Sequence, residues 1–209
     1  MAITTYAELK TAITSWLEDA SGAHTSGLGD FIALGEAMLF RRLRTRAMVA
    51  TTTGTLSSGT ATLALPARFA GLMKLQLTYG GGNVTPSEVS PEKAIERYGF
   101  EGNGLPRVYT IEGPNLRFWP TPDNDYAYAM AFRQKPEVLS DGNTSNWLLA
   151  DAPDAYLYAS LVAAGGKLDS PKTAAWATLL AEAVQSLESE STNDSATDQP
   201  MVLTSRGTP

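Results

Sequence analysis

The sequence predicts an α+β protein: a small helical bundle, an inserted β-rich element of hairpin or sandwich-like form, and an extended C-terminal arm. Three observations carry that prediction. Apolar residues recur with helical period on both sides of the chain's middle. Between those stretches the period switches to two, punctuated by Gly, Pro and Asn. The last stretch, TNDSATDQPMVLTSRGTP, is polar and proline-bearing with one apolar patch. The expected organisation is a first helical segment of the bundle over 1–49, the β-rich insertion over 50–144, a second helical segment of the bundle over 145–192 and the arm over 193–209.

TYAELKTAITSWLEDA opens on a threonine cap and sets Leu9, Ile13, Trp16 and Leu17 at helical spacing. After the small-residue loop SGAHTSGLG, the segment GDFIALGEAMLFRRLRTRAM resumes helix with Asp30 as the expected cap. Ile32, Gly35, Leu39 and Leu43 form one face, and Phe31, Leu34 and Met38 widen it, as in a helix covered on more than one side. VATTTGTLSSGTATLALP then holds two alternating segments around Ser57-Ser58-Gly59, the pattern of a β-hairpin.

LMKLQLTYGGGNV reads as a strand running into a turn, and SPEKAIERYG as a short helix with Ser90 as cap and Pro91 at its first position. RVYTIEGPNLRFWP is a second hairpin turning at Gly113-Pro114-Asn115. In DYAYAMAFRQ the residues Tyr126, Tyr128, Met130 and Phe132 face one way and alanines the other. NWLLADAPDAYLYASLVAAGG is expected to be helix that stops at its paired glycines. DSPKTAAWATLLAEAVQSLESES opens with Ser170-Pro171 and continues for about six turns at helical spacing.

In the arm, ordering backbone costs about 1–2 kcal/mol per residue. Met201, Val202 and Leu203 return about 1.5–3 kcal/mol each when buried, too little for the segment. The arm is therefore expected to be loose in the free protein and to order through edge pairing or partner contacts, with those three residues as its anchor.

Composition excludes several kinds of chemistry. The 209 residues include no cysteine, which removes disulfides, thiol nucleophiles and thiolate metal sites, and suits a reducing cytosol. No apolar run reaches the roughly 18 residues of a membrane span, and the N-terminus lacks the layout of a signal peptide. The only histidine, His24, lies in a loop, so the usual His/Cys zinc set cannot be assembled within one chain. Gly80-Gly81-Gly82-Asn83 follows a strand, yet no GK[ST] sequence or opening helix comes after it; it reads as a hairpin tip.

Glycoside hydrolysis needs only two acids about 5–10 Å apart. Glu18 with Asp19, and Asp151 with Asp154, are better explained as helix-end and capping residues. The aromatic stripe of Tyr126–Phe132 has no interleaved cation before Arg133, so it reads as sheet core rather than a platform for bases. No catalytic residue, cofactor or metal site is expected.

The net charge of −6 is unevenly spread: residues 137–209 hold three basic and ten acidic side chains. Against that, RRLRTR places Arg41, Arg42, Arg44 and Arg46, four of ten arginines, in six positions. On a continuous helix the four fan around its end instead of forming one stripe, which argues against a helix laid in a DNA groove. Cations at a helix C-terminus gain about 0.3–1 kcal/mol each from the dipole, which accounts for one or two of them. Guanidinium forks also suit carboxylates across an interface, and the acidic final third of a neighbouring copy is a natural counterpart. A DNA-binding module using the same cluster would instead show a steep loss of affinity with salt.

Five segments, taken in order, carry a family resemblance: TTYAELKTAITSWL, DFIALGEAMLFRRLR, GTATLALPARF, YTIEGPNLRFWPTP and NWLLADAPDAYLYASL. Together they are spread through residues 3–165. They resemble the head-to-tail adaptor (head-completion, portal-docking connector) proteins of short-tailed and related tailed phages. The resemblance implies a structural protein of the virion, made in the host cytoplasm. Such adaptors form a twelve-fold homo-oligomeric ring beneath the portal protein, extend the DNA channel and seat the tail nozzle or hub protein. Genomic DNA passes through without specific binding. The family fold is a helical bundle with an inserted β-element and a C-terminal arm that docks on the portal. Carried onto this sequence, Arg41, Arg42, Arg44 and Arg46 become candidates for subunit or portal contacts. An alternative that the resemblance also implies is an adaptor with peptidoglycan-hydrolase activity.

Overall fold

The computed structural model describes residues 2–18, 27–99 and 102–196, the side chains of 192–196 excepted. The chain is α+β and divides into two compact units, one formed by Met1–Ala47 with Pro136–Pro209, the other by Met48–Lys135.

The first unit is helical. Helix α1 (Tyr6–Trp16) begins with a capping box. The Glu8 N–H donates to the Thr5 hydroxyl at 3.3 Å, and the Thr5 N–H donates to the Glu8 carboxylate at 2.9 Å. Leu9 and Ile13 of α1 are fully buried, whereas Trp16, expected on the same face, is 42% exposed and meets Tyr158 edge-on at 5.8 Å. Helix α2 (Leu28–Arg42) starts from Gly27, so Asp30 lies within its first turn and is not the cap. There its charge still complements the helix dipole. Phe31, Ile32, Gly35 and Leu39 are buried, but Leu34 is 54% exposed, so the apolar face is narrower than its composition suggests.

The stretch 146–166, expected as one helix, falls in two: α4 (Trp147–Asp151) and α5 (Pro153–Leu168). Ala152 leaves helical geometry at φ −140°, ψ 67°, because the following Pro153 disfavours helix at the residue before it and supplies no N–H. Helix α5 also runs through Gly165 and Gly166 and stops at Asp169, which adopts a left-handed conformation. The glycine at 165 serves packing instead of termination. A Cβ there would stand 2.2 Å from the Thr173 hydroxyl at the start of α6 (Thr173–Ala196). Gly35 plays the same role between α2 and α5, where a Cβ would lie 2.9 Å from the backbone of Ala159 and Ser160.

The second unit is β-rich. One four-stranded sheet has the order β1-β10-β3-β4, and a second has β2-β8-β7-β5. Their strands are β1 (Val49–Leu56), β2 (Thr62–Ala64), β3 (Phe69–Tyr79), β4 (Gly82–Val84), β5 (Ser87–Glu88), β7 (Val108–Glu112), β8 (Asn115–Trp119) and β10 (Tyr126–Gln134). Two-residue strands β6 (Asn103–Gly104) and β9 (Thr121–Pro122) pair in parallel. Leu56, Leu75, Met130 and Phe132 from the first sheet share one core with Tyr109, Leu116 and Phe118 from the second, so the arrangement is sandwich-like. Helix α3 (Pro91–Tyr98), with Ser90 at its N-cap and Pro91 in its first turn, packs Ala94 against Val108 and Trp119.

One expected hairpin does not form. Strands β1 and β2 flank the Ser57–Gly59 turn but belong to different sheets. All eight residues of β1 pair antiparallel with β10, from Val49↔Arg133 to Leu56↔Tyr126, while β2 has only three residues to offer and pairs with β8. The turn is tied to the corner before β10: the Ser58 N–H donates to Asp125 at 2.8 Å and the Gly59 N–H to the Pro122 carbonyl at 2.8 Å. The other two turns form as expected. Gly80 and Gly81 join β3 to β4 with φ of 57° and 80°, a two-residue loop that needs positive φ at both positions. Gly113, at φ 58°, opens the turn between β7 and β8.

Candidate subunit interface

Helix α2 delivers the arginine cluster, and Leu43 decides its geometry. Leu43 is fully buried, its N–H closes the helix on the Leu39 carbonyl at 2.9 Å, and its ψ of 135° turns the chain out of the helix. Arg41 and Arg42 therefore occupy the last helical turn, as the spacing predicts. Arg44 lies beyond the helix and Arg46 opens a single 3₁₀ turn (Arg46–Met48), so helical spacing does not describe these two.

The four side chains have different attachments. Arg41 Nε donates to the Ala37 carbonyl at 2.8 Å, and Arg44 Nη1 to the Leu43 carbonyl at 2.7 Å. The backbone N–H of Arg46 donates to the Ser191 hydroxyl on α6 at 2.7 Å. Among the described residues Arg42 makes no hydrogen bond or ion pair. Carbonyl bonds orient a guanidinium without neutralising it. Among the described residues no carboxylate forms an ion pair with any of the four. All four arginines are exposed.

Met201, Val202 and Leu203 lie outside the described residues, as do His24 and Asp19. Glu18 is held by Lys172 at 2.6 Å, which keeps its carboxyl below the usual range. Asp151 ends α4 and Asp154 stands in the first turn of α5. Tyr126, Met130 and Phe132 are buried in the sheet core and not available for stacking. Among the described residues no three His, Cys, Asp or Glu side chains form a metal-ligand group, and no helix is long and apolar enough to cross a membrane.

One polar assembly is not anticipated by the sequence patterns. Glu36, 3% exposed, accepts from the Leu139 N–H at 2.8 Å and from the Tyr156 hydroxyl at 3.2 Å. Asn146 Nδ2 donates to the Tyr156 oxygen at 2.7 Å and to the Glu137 carbonyl, while Asn146 Oδ1 caps α4. The group fastens the segment 137–146 to α2 and α5. Burial pushes the Glu36 carboxyl up, against the opposing effect of its two donors, and burial also pushes the Tyr156 phenol up. Helical spacing from Ile32 would have placed Glu36 on the buried face, since it lies four residues on.

Residues 4–203 match the family model of the SU10 adaptor protein. The chain belongs to that family. The resemblance drawn from the five segments is thereby correct at the level of a phage head-to-tail adaptor family, and the chain is a structural adaptor. The family match spans both units and continues past α6, so Met201, Val202 and Leu203 fall within it. A search of curated proteins finds no match to the chain.

Proposed function

We propose that the protein is a virion component that forms a twelve-fold ring between the portal and the tail nozzle or hub, extending the channel through which genomic DNA passes. Membership of the SU10 adaptor family carries this reading. Two further observations support it. None of Arg41, Arg42, Arg44 and Arg46 is held in an ion pair by a described carboxylate of its own chain. Residues 137–209 hold ten acids against three bases, which supplies opposite charge on a neighbouring copy and little affinity for DNA. In this reading the arginines join subunits or the portal, and Met201, Val202 and Leu203 anchor the arm.

The test is reconstitution. Purified protein mixed with its cognate portal should give a stoichiometric ring by electron microscopy, and absence of a ring at every salt concentration overturns the reading. Arg41→Glu or Arg44→Glu should impair assembly while the monomer's circular dichroism and melting temperature stay unchanged. Normal assembly by both variants would reduce the cluster to a solvated helix end. Serine at 201, 202 and 203 together should weaken portal binding and leave monomer stability unaltered.

A further inference from the structure

The segment after α2, helix α4 and the last third of α6 enclose a cleft of about 180 Å³. Its walls include Thr45, Arg46, Trp147, Asp151, Leu187 and Glu190. Asp151, Glu190 and Arg46 put two acids and one base among the lining residues, an excess of one negative charge. Among the described residues neither Asp151 nor Glu190 is held in an ion pair. Thr45 supplies a second, independent sign of a missing partner. It is 5% exposed, and its hydroxyl is buried without any hydrogen bond. Thr45 also lines the cleft, and buried polar atoms in native proteins nearly always have a partner.

We propose that this cleft receives Arg42 from a second copy of the chain. The inference rests on the ring reading and names its acceptor site. Arg42 fits by elimination and by chemistry. It is exposed in the last turn of α2, makes no hydrogen bond or ion pair among the described residues and does not line the cleft. Arg41 and Arg44 are tied back to carbonyls of their own segment, and Arg46 already lines the cleft. One incoming guanidinium balances the excess charge, presents a fork to Asp151 and Glu190, and has the Trp147 ring available as a cation–π face.

Arg42 is not among the residues that line the cleft, so in a head-to-tail contact each copy gives its Arg42 to one neighbour and its cleft to another. A contact of that kind closes into a ring when its rotation closes, whereas a self-complementary patch stops at a dimer.

The chain has no cysteine, so single cysteines report position without background. Arg42→Cys and Glu190→Cys proteins, mixed with portal and treated with a short bis-maleimide, should yield a linked pair that neither variant gives alone. A flexible linker is needed because an arginine–glutamate contact holds its Cα atoms beyond disulfide range. The double variant should give a ladder of linked oligomers. Separately, Arg42→Glu should weaken ring assembly about tenfold or more. Glu190→Arg should do the same, and the two together in one chain should restore assembly.

Rings that form with the wild type but show neither linkage nor restoration overturn the cleft contact and leave the ring reading standing. Failure of the wild type to form rings overturns both. Linkage limited to dimers in the double variant refutes the head-to-tail arrangement.

Discussion

The two units differ in how closely their elements approach one another. In the helical unit the approach of α2 to α5 is set by Gly35, where a Cβ would meet backbone at 2.9 Å, and α5 buries Ala155, Ala159, Ser160, Ala163, Ala164 and Gly165. In the β unit the shared core is built from Leu, Met, Phe and Tyr contributed by both sheets. Helices brought backbone to backbone leave no room for added atoms. Sheets held apart by side chains depend on the volume that those side chains supply. The helical unit should therefore be sensitive to gain of volume and the β unit to its loss.

The largest effect is expected in the β unit. Phe118 is fully buried at the centre of the shared core, and Phe118→Ala should cost about 3–5 kcal/mol by removing transfer energy and leaving a cavity. Urea denaturation followed by tryptophan fluorescence would measure it. A loss below about 1 kcal/mol would mean that the two sheets collapse onto the gap, and the proposed dependence on volume would fail.

Gly35→Ala tests the other side of the comparison. Alanine is the better helix former by about 1 kcal/mol, yet overpacking against the Ala159–Ser160 backbone should turn that gain into a net loss of about 1–3 kcal/mol. Gly166→Ala is the matched control. It changes the same residue type within α5, where a Cβ meets nothing within 4 Å, so it should stabilise by about 0.5–1 kcal/mol. The two thermal shifts should have opposite signs; equal signs would show that α2 can move away from α5 without cost.

This contrast also explains what was legible in the sequence. Features set by a residue and its near neighbours could be read directly: the Thr5–Glu8 box, the Ser90-Pro91 start, the Gly80-Gly81 and Gly113 turns, and the alternation of Tyr126 to Phe132. Features set by distant packing could not. Period-two patterning identifies β1 and β2 as strands but carries no information on partner, and it is the pairing of β1 with β10 and of β2 with β8 that puts them in different sheets. A Gly-Gly pair reads as a helix stop unless another helix lies against it, as the start of α6 does at Gly165.

The candidate interface was legible in the same uneven way. Four arginines in six residues are visible as composition. Their geometry depends on Leu43 being drawn into the interior, which ends α2 at Arg42. The cleft beside them joins residues 45–47 to 147–191, and no local pattern links segments so far apart.

The smallest expected effect concerns charge, and it separates the units again. The helical unit buries the carboxyl of Glu36, while the buried polar side chain of the β-unit core region, Thr110, is neutral. Burial raises the Glu36 pKa above its value in the unfolded chain, near 4.3. The folded state then binds more protons than the unfolded state between the two values, so stability falls as pH rises through that window. The contribution is complete below about pH 4 and is lost as the carboxyl ionises in the folded protein. Glu36→Gln keeps an oxygen to accept from the Leu139 N–H and the Tyr156 hydroxyl, and it removes the titration. The variant should match the wild type near pH 4 and exceed it in stability at pH 7.5, as measured by denaturation midpoints at both values. A wild type that gains on the variant as pH rises would show that the Leu139 and Tyr156 donors outweigh desolvation, and the sign of the Glu36 contribution would reverse.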